Sequence, residues 1–133
     1  MRTSLTAFDQ IKSQSQFEAN ALKLFHYQYQ HNSIYRSYCD LINVASSDVK
    51  KVTSIPFLPI QFFKSHTVSS QTDSATHIFT SSKTTGQIPS KHHVHQIDLY
   101  IKSFEKGFQF FYGNIEDYIL LALLPSYKEQ GNS

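Results

Sequence analysis

The chain reads as an α/β protein in which N-terminal helices are followed by a small, mostly parallel sheet. Three observations predict that class. Apolar residues recur at helical spacing between Phe17 and Ile42. The run Tyr118 to Leu124, YILLALL, is uninterruptedly apolar, the pattern of a parallel strand covered on both faces. Between them a short β-rich run, Thr76 to Thr80, opens on a hydroxyl-rich turn and leads into further residues of helical spacing.

In chain order, Ser15 followed three residues later by Glu18 reads as a capping box, each side chain taking one amide that the helix leaves over. The helix it opens carries Phe17, Ala21, Leu24, Phe25 and Tyr29 on one face and runs to about His31. Asn32 and Ser33 allow a break, after which Ile34, Tyr35, Tyr38, Leu41 and Ile42 repeat the spacing up to Asn43. Ala45 to Thr53 is polar and loop-like. Pro56 and Pro59 bracket Phe57 and Leu58 and enforce an extended path, because proline fixes its own φ and bars its predecessor from the helical region. Phe62, Phe63 and Val68 are expected to begin the sheet.

Ser69 to Ala75 is a polar connector to the strand Thr76–Thr80. From Gln96 to Phe111 the spacing is helical again, with Ile101, Phe104, Phe108 and Phe111 in a stripe expected to face the core and Gly113 placed to end it. The strand Tyr118–Leu124 follows, and Pro125 stops it. A sheet of few strands leaves this apolar run exposed, so a homo-oligomer or further sequence is expected to cover it.

The stretch Phe79 to His92, FTSSKTTGQIPSKH, carries the most chemistry. Four of the six residues Ser81 to Gly86 are Ser or Thr, and a turn of that composition presents amides and hydroxyls toward one point, a concavity for an anion. Such a loop holds phosphate best between a strand and a helix, whose N-terminus adds partial positive charge. The Walker pattern of glycine, four residues and GK[ST] is absent, and the same composition serves ordinary solvated loops.

Composition narrows the remaining classes. At 133 residues the chain is expected to be a single domain, 1–133, with 11 Phe and 8 Tyr available to a core. A formal charge of +2, with no basic run longer than Lys50 and Lys51, lacks the electrostatic footprint of a nucleic-acid binder. No signal-peptide pattern and no apolar run of spanning length occurs, so a cytoplasmic protein without a membrane span is expected. The single Cys39 fits a reducing compartment and reads as a buried structural thiol. His92, His93 and His95 lack the fourth ligand of a zinc site, and Glu105, Glu116 and Asp117 read as solvated carboxylates, so no metal site is assigned.

Thr80 to Gly86, TSSKTTG, with Pro89 and Lys91 behind it, resembles the phosphate loop of AMP-forming (adenylate-forming) ligases, TSSGTTG followed by proline and lysine. Four further blocks, in order, are similar to LuxE-like acyl-protein synthetases: ALKLFHYQYQHNSIYRSYCDLI at Ala21 to Ile42, IPFLPIQFFKSHTV at Ile55 to Val68, LYIKSFEKGFQFFYG at Leu99 to Gly113 and DYILLALLPSYKEQGNS at Asp117 to Ser133. The resemblance implies an incomplete adenylate-forming ligase N-domain that uses ATP, with Mg, to turn a fatty acid or other carboxylate into an acyl-adenylate for a thiol acceptor. It further implies that Ser81, Ser82, Lys83, Thr84, Thr85, Gly86 and Lys91 surround the ATP phosphates. Lys83 stands where the family's loop has its first glycine. A lysine forced to positive φ costs on the order of 1–2 kcal/mol, whereas one at ordinary angles adds an ammonium for the phosphates. In the family the adenine and ribose motifs, the acidic residue for magnesium, the closing lysine and the acyl-accepting cysteine lie further along than Ser133. The chain is accordingly expected to be the N-terminal part of such an enzyme, inactive alone. A non-catalytic nucleotide-binding module and a protein-interaction remnant are the alternatives.

Overall fold

The computed structural model describes residues 10–81, 88–119, 121 and 123. Where length alone reads as one domain, the contacts of the chain group into two compact units, Met1–Asp73 and Ser74–Ser133.

The first unit is helical. Helix α1 spans Gln14–His31 and α2 spans Ser33–Leu41. The N-cap of α1 is Ser13, not Ser15: its hydroxyl accepts from the Gln16 amide at 3.2 Å, while the Gln16 side chain accepts from the Lys12 amide at 2.7 Å. Both Ser13/Gln16 and Ser15/Glu18 satisfy the capping spacing, and it is the earlier pair that takes up two amides, those of Gln16 and Lys12. Asn32 separates the helices with a single extended residue. Its own amide donates to the Gln28 carbonyl, closing α1, and its side chain accepts from the Tyr35 amide, opening α2. Asn32 is 4% exposed, and both of these groups are satisfied despite the burial.

Helix α2 ends two residues before the expected Asn43. Asn43 itself sits at φ 56, the Val44 amide reaches back to the Cys39 carbonyl at 2.9 Å, and the Asn43 amide reaches the Asp40 carbonyl at 3.1 Å. This is the Schellman pattern, with asparagine supplying the left-handed residue that glycine usually fills. Val44, just beyond it, packs back on the core.

That core is Phe25 from α1, Tyr35 and Cys39 from α2, and Val49, with Leu22, Tyr29, Tyr38, Val44, Ile55 and Leu58 around it. Fully burying each such apolar side chain contributes roughly 1.5–3 kcal/mol. The contributing positions of α1 are thus 22, 25 and 29, while Phe17 and Leu24 of the expected stripe are exposed. A 3-10 turn, Val52–Ser54, leads to the proline segment. The residues expected to begin the sheet form one turn of helix instead: α3 spans Phe62–Ser65. Successive amides at 62, 63 and 64 bond to the carbonyls of Pro59, Ile60 and Gln61, so the proline starts a helical turn. Val68 carries no strand.

In the second unit β1, His77–Thr80, pairs with β2, Lys91–Val94, and α4 spans Ile97–Tyr112. The pairing is antiparallel, His77 opposite Val94 through Thr80 opposite Lys91. The expected mostly parallel sheet is therefore corrected to a two-stranded antiparallel hairpin among the described residues. A parallel neighbour needs a crossover of a dozen residues or more, and β2 follows β1 too soon for one. Gly113 ends α4 as expected, at φ 88, its amide bonded to the Gln109 carbonyl. A 3-10 turn, Ile115–Asp117, succeeds it, with the Asn114 side chain accepting from the Glu116 amide.

Two expectations for this unit are overturned. The α4 stripe does not form a core: no residue of α4 is buried, and Phe104 and Phe111 are 51% and 75% exposed. Of the apolar run expected as a strand, the described members Tyr118, Ile119, Leu121 and Leu123 are exposed and carry no strand. Aromatic contacts organise the helix locally, Phe79 stacking on Tyr100 with ring centres 5.2 Å apart and Phe108 meeting Tyr118 edge to face at 5.3 Å.

Candidate functional site

The hydroxyl-rich turn lies between β1 and β2. Ser82, Lys83, Thr84, Thr85 and Gly86 fall outside the described residues, whereas its flanks, Ser81 on one side and Ser90 and Lys91 on the other, are defined. It is thus a hairpin connection, where a strand-to-helix turn was expected. β2 intervenes, so the N-terminus of α4 is removed from the turn by at least one strand, about 13 Å of extended chain for four residues. Asp98 moreover occupies the first turn of α4, where its carboxylate already complements the helix dipole. The dipole contribution to anion binding expected from sequence is therefore not available at this turn.

The ladder instead shapes the neck. Past the last strand pair, Thr80 and Lys91, the chain forms one more rung: the Ser81 amide donates to the Ser90 carbonyl at 3.1 Å. A regular rung returns the second bond to a carbonyl. Here the Ser90 amide donates to the Ser81 hydroxyl oxygen at 3.0 Å. A serine side chain competing with its own backbone in this way ends the ladder at that point. At the opposite end Thr76 does the mirror task, its hydroxyl donating to the Val94 carbonyl at 2.9 Å.

Of the candidate residues, Ser81 and Lys91 are thus brought within one rung of each other, both exposed. Strand alternation sends them to opposite faces, Lys91 with Thr80 and Ser81 with Ser90. His92 and His93 sit opposite Phe79 and Ile78 in the ladder. Among the described residues no three of His, Cys, Asp and Glu gather where one metal ion would bind them. Sequence reasoning had Thr76 as the first residue of the strand and gave Ser90 no role; the side-chain bonds of both were missed, and the available signal was a hydroxyl residue next to the end of a short strand, where side chains substitute for missing ladder bonds.

Elsewhere the described residues offer less chemistry. Cys39 is fully buried, and that burial raises its thiol above the usual range, so it is held as an inert thiol rather than a nucleophile. A shallow cleft in the first unit is lined by Glu18, Leu22, Lys50, Lys51, Val52 and Thr53. No helix among the described residues is long and apolar enough to cross a membrane.

Comparison with known proteins adds one finding. A family described as acyl-protein synthetase, LuxE, matches residues 5–125 of the 133. No curated protein and no solved structure matches.

Proposed function

Because the chain belongs to the LuxE acyl-protein synthetase family, we propose that it supplies the phosphate-holding element of an ATP-dependent ligase, one that activates a fatty acid or other carboxylate as an acyl-adenylate for transfer to a thiol, in the cytoplasm. In that reaction a carboxylate oxygen bonds to the α-phosphorus and pyrophosphate leaves, so negative charge builds on the β- and γ-phosphate oxygens. Amides and hydroxyls fixed in advance toward those oxygens lower the barrier, because they need no reorganisation as the charge develops. Ser82, Thr84, Thr85 and Gly86 are the donors assigned here, with Lys91 as the cation and magnesium arriving with the nucleotide, and Lys83 stands in the loop where the family has glycine.

The observation that carries the reading is that the family match runs through the hairpin, and that the hairpin draws the two flanks of TSSKTTG together at a hydrogen-bonded neck. The exposed Lys91 beside that neck fits an anion there. Calorimetric titration with ATP and magnesium tests it. Saturable binding of ATP, with AMP weaker, is expected; an absence of heat with ATP at millimolar concentration removes the nucleotide from the function.

A further inference from the structure

Ser81 was assigned above with the phosphate ligands, yet its side chain is already engaged. The geometry points to Ser81 as a positioning residue, which sets the separation of the two flanks of the turn and does not contact the phosphates itself. Its hydroxyl oxygen receives the Ser90 amide at 3.0 Å and its own amide reaches the Ser90 carbonyl at 3.1 Å. A pair of opposed residues is thereby pinned twice, once through main chain and once through side chain. Alternation also places the Ser81 side chain on the face of Ser90, opposite to that of Lys91. The inference rests on the ATP reading for its ligand, but the pinning exists without one.

The test uses the whole chain and two readouts. Ser81→Ala removes the acceptor, Ser81→Thr retains it, and Ser90→Ala retains the donor amide. Without nucleotide, NMR amide exchange at Ser90 is expected to quicken roughly fivefold in Ser81→Ala, the loss of one hydrogen bond, and to stay at the wild-type rate in the other two. ATP affinity is expected to fall by a similar factor in Ser81→Ala alone. An unchanged Ser90 exchange rate in Ser81→Ala overturns the proposal, as does faster exchange with undiminished affinity in a protein that binds ATP. A wild type that binds no ATP defeats the nucleotide reading instead, and the ligand-free exchange rates then decide the pinning by themselves.

Discussion

The hydroxyl of Tyr35 donates to the carbonyl of Pro56 at 2.6 Å, joining α2 to the proline segment 21 residues further on. This bond closes the first unit, since the same ring meets Phe25 edge to face with centres 6.1 Å apart. Tyr35→Phe keeps the ring and deletes the bond. A loss of about 1 kcal/mol in urea denaturation is expected, and a variant as stable as wild type would show the Pro56 carbonyl satisfied by water.

Alkali is expected to weaken the same unit. Burial raises the ionisation of both Tyr35 and Cys39 above their ordinary values, with the neighbouring Cys39 adding to the rise at Tyr35. A raised value means that the folded state holds its protons more tightly than the unfolded state, so the stability is complete at neutral pH. It declines as pH climbs past the ordinary thiol range and further past that of tyrosine. The urea midpoint should fall between pH 8 and pH 10.5, and Cys39→Ala should reduce the first part of that fall.

Phe25→Ala removes the aromatic ring that α1 gives to the core cluster and should cost about 3–5 kcal/mol. Loss of the cooperative thermal transition of the first unit is the expected result, whereas Phe17→Ala, on the exposed side of the same helix, should leave the melting temperature within a degree or two.

Helix caps provide a sharper discrimination. Ser13→Ala should lose about 1 kcal/mol and Ser15→Ala almost nothing, because only the former hydroxyl accepts a helix amide. At the other end of the pair, Asn43→Val places a branched side chain at φ 56 and should cost about 1–2 kcal/mol, while Asn43→Gly should be neutral or slightly stabilising.

For the nucleotide reading, Lys83→Gly restores the glycine of the resembled loop and is expected to raise ATP affinity roughly fivefold, because glycine takes up the family's loop conformation without the cost of about 1 kcal/mol that a side chain meets at positive φ. A fall would show the ammonium to be a phosphate contact. An unchanged titration would remove position 83 from the site.

Long helices were legible in the sequence because their signals repeat. α1 ends at His31 and breaks at Asn32 as its spacing predicts, and Gly113 ends α4 for the conformational reason that makes glycine common there. The hairpin was not legible. β1 was expected from its β-rich residues, but KHHV has no such signal, and both four-residue strands mix polar with apolar on each face, so nothing local states that the two pair. Phe62 and Phe63 misled through their strand preference, which a proline-led turn overrode. In the candidate site the hydroxyl-rich composition was visible, but the role of Ser90 was not, since it acts through an amide that every residue but proline possesses.

Asn32 gives the first unit an elbow without slack. One residue is the last stop of one rod and the first rest of the next, so the angle between the rods is written in a single pair of torsions, φ −107 and ψ 101. A residue inserted on either side cannot be taken up locally: it would turn one rod by about 100° about its own axis and carry Tyr35 and Cys39 off the side that meets Phe25.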